Sequence, residues 1–132
     1  MENTNKIPTR DEIPQEFKWT IEDLYPNDEA WEQELAALDA EGKELAAFSG
    51  KLAGSAQLLY GYLSKAEQIN VKAELLANYC MRKSDEDTRV AKYQAMAGQF
   101  MTVVVSLGAA TSFETPEIMA ITDETLKGFY EE

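Results

Sequence analysis

Residues 55–80, SAQLLYGYLSKAEQINVKAELLANYC, repeat apolar side chains at Leu59, Tyr62, Ala66, Ile69, Ala73, Leu76 and Cys80. Every step in that series is three or four residues, the spacing that lines one face of an α-helix and produces a seam facing a core. The helix is expected to begin near Ser55. A strand would need an alternation of period two, and none of that length is present.

On the amino side, Asn27 or Asp28 is expected to cap a helix whose first turn carries Glu29 and Glu32, favourable for the positive end of its dipole. Its apolar face is Trp31, Leu35, Leu38, Leu45 and Phe48, and Gly50 supplies the stop. On the carboxyl side the polar run Lys83, Ser84, Asp85, Glu86, Asp87 and Thr88 breaks the pattern, with Asp87 as the cap of the next helix. That third helix carries Tyr93, Met96, Phe100, Val103, Leu107 and Ala110 on one stripe, and turns apolar nearly all round between Phe100 and Phe113, which predicts burial on more than one side. Thr115 and Pro116 fit the cap and first position of a short turn, and Thr122 the cap of a last helix with Leu126, Phe129 and Tyr130. That helix stops after about two turns, where isolated helices need roughly 12 to 15 residues, so further chain is expected to follow.

Ahead of the first helix, Pro8, Pro14 and Pro26 push their preceding residues out of the α region, so positions 7–26 are expected to run mostly extended. Ile13, Phe17, Trp19, Ile21, Leu24 and Tyr25 predict a strap lying on a surface, with one short turn capped between Thr20 and Asp23. The fold class expected is all-α: an antiparallel helical bundle of three long helices plus a short C-terminal helix, preceded by an extended N-terminal strap. Its parts are the strap at 1–26, the three-helix bundle at 27–114, and the start of a further, truncated helical segment at 115–132.

The balance of 12 basic against 24 acidic residues, a formal net charge of −12, opposes a phosphate backbone and an anionic membrane surface, so no nucleic acid and no membrane are expected as partners. The uncharged stretch 99–113 is shorter than the roughly 18 to 20 residues that span a bilayer. The start, Met1 to Arg10, lacks the apolar core of a secretory signal, and the single cysteine has no partner for an internal disulfide, which together predict a cytoplasmic location.

Chemistry is conspicuous by what the composition withholds. Without a histidine, the segment cannot supply a Ser/His/Asp triad, a Cys/His dyad, an HExxH zinc helix or a di-metal carboxylate bundle. Asp85, Asp87 and Arg89 imitate the opening of an EF-hand loop, but Val90 replaces its turn glycine and Met96 its closing glutamate. Cys80 sits on the apolar stripe, where it is expected as a small buried hydrophobe. Neither Glu22 with Asp23 nor Glu131 with Glu132 is given a shared pocket by adjacency alone. Trp19, Trp31, Tyr25, Tyr60 and Tyr62 are expected in core and strap packing, with a peptide groove as the other reading. No catalytic, cofactor-binding or metal-binding residue is assigned.

The order of short motifs says more than any one of them. Arg10-x-x-Ile13-Pro14 opens the strap, Trp19-x-Ile21-x-Asp23-Leu24-Tyr25 follows, and Glu29-x-Trp31 begins the helix. Later come Phe48-Ser49-Gly50-Lys51-Leu52, Asp87-Thr88 with Tyr93-Gln94-Ala95, and Ser112-Phe113 before Pro116-Glu117-Ile118. This succession, covering nearly the whole chain, resembles the N-terminus of oligoendopeptidase F, of the thimet-oligopeptidase-like zinc metallopeptidases. The resemblance implies an all-helical parent enzyme that hydrolyses short oligopeptides in a deep channel between two halves. Zinc would be bound far downstream, outside this segment, in a C-terminal catalytic domain of the same chain. This segment would be a non-catalytic lobe forming part of the channel wall. The reading set against it is a free-standing acidic helical interaction module that docks a partner helix along the face from Phe100 to Phe113.

Overall fold

The computed structural model describes residues 6–131, so the first five positions of the strap and Glu132 lie outside the described residues. Among the described residues there is no strand. The helices are α1 (Asp28–Leu45), α2 (Ala56–Glu86), α3 (Ala91–Ala110), α4 (Glu114–Ala120) and α5 (Asp123–Phe129). Short 3-10 turns precede and punctuate them at Arg10–Glu12, Gln15–Phe17, Ile21–Asp23 and Ala46–Phe48.

The caps explain where the helices start. The Asn27 side chain accepts from the Ala30 N–H at 2.8 Å, the Ser55 hydroxyl from Leu58 N–H at 3.1 Å, and the Thr122 hydroxyl from Thr125 N–H at 3.2 Å. Gly50 ends the first helical run at φ 77°, a left-handed conformation that residues with a Cβ rarely adopt.

Side-chain pairings set the directions. Trp31 near the start of α1 meets Leu76 late in α2, and Glu44 at the end of α1 meets Lys65 early in α2, so these two helices are antiparallel. Asp28 and Lys92 lie at the starts of α1 and α3, and Gly42 and Leu107 near their ends, so α3 runs parallel to α1. At Gly42 an added Cβ would lie 2.8 Å from Leu107 Cδ1, which shows how closely α3 approaches α1 there. The shared core holds Trp31, Leu38, Leu45, Tyr62, Ile69 and Leu76, all essentially inaccessible, with Leu52 of the α1–α2 connection beneath them.

With 31 residues, α2 is about 46 Å long, some 20 Å more than the 18-residue α1, and the strap packs on its carboxyl-terminal part. Ile21 is buried in the core, Glu22 pairs with Lys83, and Arg10 pairs with Glu86. These contacts explain a departure from expectation. The polar cluster does not break α2 at Lys83; the helix continues to Glu86, because its last turn is tied to the strap and by Arg82–Asp85 at 2.9 Å.

Three further expectations need correction. Asp87 does not cap α3: its carboxylate accepts from Arg89 N–H at 3.0 Å and from the Arg89 guanidinium, and the residue before α3 is Val90, without a side-chain cap. Thr115 and Pro116 stand one and two residues inside α4, where proline is tolerated because the first-turn N–H groups have no helical partner. The strap does not cover its own aromatics, since Phe17 is 72% and Trp19 76% exposed. Ile21 and the two ion pairs hold it to α2, leaving those rings in water.

Leu38→Ala, which empties a fully buried site, should cost about 2–5 kcal/mol. A Cβ at Gly61, inside α2, meets nothing within 4 Å, so Gly61→Ala should stabilise by roughly 0.5–1 kcal/mol. Urea unfolding followed by helical circular dichroism measures both, and equal signs would refute this account of the core.

Candidate functional site

The residues singled out for possible chemistry are dispersed, and most of them are already partnered. Cys80 is fully buried, its thiol donates to the Ala77 carbonyl at 3.5 Å, and burial pushes its pKa up. Asp85 pairs with Arg82, while the Arg89 guanidinium and backbone N–H hold Asp87 at about 2, so the two carboxylates do not converge. Glu22 turns to Lys83, whose ammonium lowers its pKa, and separates from its neighbour Asp23. Glu131 is exposed, and its neighbour Glu132 lies outside the described residues. Among the described residues no group of three His, Cys, Asp or Glu is placed to hold a metal ion.

The aromatics divide. Trp31 is buried and donates its indole N–H to the Leu76 carbonyl at 2.9 Å. Tyr62 is buried and donates to Glu114 at 2.6 Å, and Tyr25 sets its ring edge against Tyr79 at 5.6 Å. Trp19 and Tyr60 depart from the core packing expected of them, Tyr60 being 74% exposed. Phe17 and Trp19 instead flank a surface cleft of about 330 Å³ that also holds Arg10 and Arg82, both ion-paired.

Sequence reasoning missed the polar ties at the bundle's two ends. Tyr79 donates to Asp28 at 2.8 Å, and Lys92 reaches the same carboxylate at 2.5 Å. At the other end Glu117 of α4 accepts from the Gly50 and Leu52 backbone N–H groups, beside the Tyr62–Glu114 bond. Burial and the adjacent carboxylate push both tyrosine hydroxyls up. Tyr79 was findable, three residues after Leu76 on the apolar seam; its carboxylate partner, 51 residues away, was not.

The three seams of the bundle differ. Lys72 bridges Glu34 at 3.3 Å and Glu41 at 2.6 Å across α1 and α2, with Lys65–Glu44 alongside. Asp28–Lys92 closes one end of the α1–α3 seam. Between α2 and α3 there is no ion pair among the described residues, and a groove of about 410 Å³ remains open. The outward side of α3 exposes Met101 and Val105, so the burial on several sides expected for this helix is absent among the described residues. By length and composition alone, an 18-residue window within 91–120 is apolar enough to cross a membrane, so the charge-free stretch 99–113 understates the apolar length of this region.

What the fold and these surfaces define is an acidic, all-helical bundle segment with open surface grooves. Proteins of known name match nearly all of it. It is 33% identical over 125 residues to Oligopeptidase PepF of Bacillus subtilis, covering 95% of this chain and 19% of that protein. To the plasmid Oligoendopeptidase F of Lactococcus lactis subsp. cremoris it is 33% identical over 116 residues, 87% of this chain and 19% of that protein. Group B oligopeptidase PepB of Streptococcus agalactiae is 27% identical over 120 residues, 91% of this chain and 20% of that protein. No family model and no solved structure matches. By sequence the chain is similar over 87–95% of its length to proteins named oligoendopeptidase F or oligopeptidase, and it spans about a fifth of the length of these curated relatives.

Asp28 gives the end tie a pH signature. Burial raises its pKa, but the bonds from Lys92 and Tyr79 outweigh burial and leave it below the ordinary aspartate value of 3.8. A depressed carboxyl stabilises the fold fully above its unfolded value and loses that contribution as pH falls through the folded one. Asp28→Asn should therefore cost about 1–3 kcal/mol at pH 7, and the gap to the parent should close as pH drops below 3.8. Urea unfolding at pH 7, 5 and 3 tests this, and a constant gap would reject it.

Proposed function

We propose that this chain is the amino-terminal, non-catalytic helical lobe of a cytoplasmic, zinc-dependent oligoendopeptidase, and that it forms part of the wall of the channel in which short peptides are cleaved. The observation that carries the reading is the match over 95% of this chain to 19% of a named oligopeptidase. A segment that short, with carboxylates such as Asp28, Glu22 and Glu41 held in ion pairs and with no histidine, fits a supporting lobe.

Zinc does not fit the residues present here. Its usual donor set in a hydrolytic site includes imidazole, and no cluster of three donors stands among the described residues. The metal belongs to residues elsewhere in the longer protein, and no step of hydrolysis is assigned to this segment. Its partners are the catalytic remainder of the same polypeptide and the oligopeptides that the complete enzyme takes in; the net charge of −12 opposes nucleic acid and an anionic membrane surface. The second reading, a free-standing module that docks a partner helix, is favoured by the open α2–α3 groove.

The reading frame should continue past Glu132 and encode an HExxH helix. The protein made from the complete frame should cleave short peptides and lose that activity to a chelator. A stop codon at Glu132, or cleavage indifferent to chelation, would reject the peptidase lobe, and the stop codon would favour the free-standing module.

The net charge of −12 gives a second expectation. An acidic wall draws in cationic ligands. The complete enzyme should cleave peptides ending in lysine with kcat/KM on the order of tenfold above matched peptides ending in glutamate, a gap that salt narrows. Equal rates at low ionic strength would remove any role of this charge in selecting substrates.

A further inference from the structure

We infer that the groove between α2 and α3 seats one amphipathic helix, supplied by the same polypeptide beyond this segment, whose apolar stripe is flanked by Lys or Arg. The inference rests on the reading that the chain is one lobe of a longer enzyme.

The groove has the shape and chemistry of a vacant helix position. Ala73 and Ala77 of α2 and Phe100 and Val104 of α3 line it, and Val71 stands at its edge, 49% exposed. Leu75 of α2 and Met101 of α3 are exposed as well. From position 67 to 77 the lining residues of α2 span about 15 Å, which matches three turns of a docked helix. Two adjacent helices offering such a trough to a third is the geometry by which a four-helix bundle is completed.

Charge selects the occupant. Glu67 and Glu74, seven residues apart on α2, line the groove, and neither forms an ion pair among the described residues. Positions 93–113, which include nearly all of α3, carry no charge, so α3 answers neither glutamate. A docked helix therefore meets negative charge along one side, and Lys or Arg two turns apart would complement it. A second copy of this chain would bring another −12 to the same rim, and an anionic bilayer would be repelled likewise. Relatives about five times this length have ample chain to supply the helix, at the high effective concentration that covalent linkage confers.

The experiment uses the protein expressed from the complete reading frame, carrying Val71→Cys. Cys80 adds little background, since it is fully buried. Maleimide labelling of position 71, read by peptide mapping, should be at least about tenfold slower in the native protein than in urea. A benzophenone attached at position 71 should cross-link to a peptide beyond position 132 whose apolar stripe is flanked by Lys or Arg. Native labelling as fast as in urea overturns the inference while leaving the peptidase reading intact. So does a cross-link to a second copy that grows with concentration, or to a stripe flanked by Asp or Glu. A frame that ends at Glu132 fails the peptidase reading itself and takes this inference with it.

Discussion

The bond from the Trp31 indole N–H to the Leu76 carbonyl, 2.9 Å long and wholly buried, fixes how α1 lies on α2. An indole is too large to be buried cheaply with its N–H unpaired, so the ring settles only where an acceptor meets it. Packing of Leu35, Leu38 and Leu45 against Tyr62, Ile69 and Leu76 tolerates small slips along the helix axis. A directional bond between two named atoms does not. With the register set, Lys72 falls between Glu34 and Glu41, Lys65 meets Glu44, and Tyr79 meets Asp28. Surface pairs of this kind contribute little singly, and their presence follows from the register more than it creates it.

The two ends of the bundle solve one problem in the same way. A tyrosine on a core-facing helix reaches the edge of the apolar interior, and its hydroxyl needs an acceptor there. Tyr79 finds Asp28 at the opening of α1, and Tyr62 finds Glu114 at the opening of α4. Each carboxylate stands in the first turn of a helix, where its charge also complements the helix dipole. Glu117 adds the backbone N–H groups of the α1–α2 connection to that end. Thus α4, only seven residues long, is held by polar ties that its length could not supply.

What was legible in the sequence was periodic or local. The seam from Leu59 to Cys80, the helix start near Ser55, the caps at Asn27 and Thr122, and the stop at Gly50 depend on neighbours within a few residues, and the structure has each of them. The errors share a different cause. Lys83 to Glu86 read as a break by composition, yet Arg10, 76 residues away, pairs with Glu86 and the strap holds the turn helical. Asp87 read as a cap, but Arg89 two residues on offers it both a backbone N–H and a guanidinium. Phe17, Trp19 and Tyr60 read as packed in the strap or the core because large aromatics usually are, and no local pattern says which of them the tertiary fold will leave uncovered. The resemblance to the oligopeptidase relatives came from the order of motifs, so it did not depend on predicting any contact.

The distribution of charge along the chain makes sense of that uncovered surface. A segment with 36 charged residues among 132 places none of them in the 21 positions from 93 to 113. A helix whose outer face met water for good would be expected to carry charge there, as α1 and α2 do on theirs. Where this segment completes a seam by itself, between α1 and α2, lysines and glutamates interlock over it. Between α2 and α3, where α3 offers no charge to answer Glu67 and Glu74, no ion pair closes the seam among the described residues and the groove stays open. Desolvating a lysine or glutamate beneath an incoming helix would cost more than desolvating Met101, Val104 or Val105. The charge-free character of α3 thus has a physical reason if that side is buried in the longer protein, and none if it stays in water.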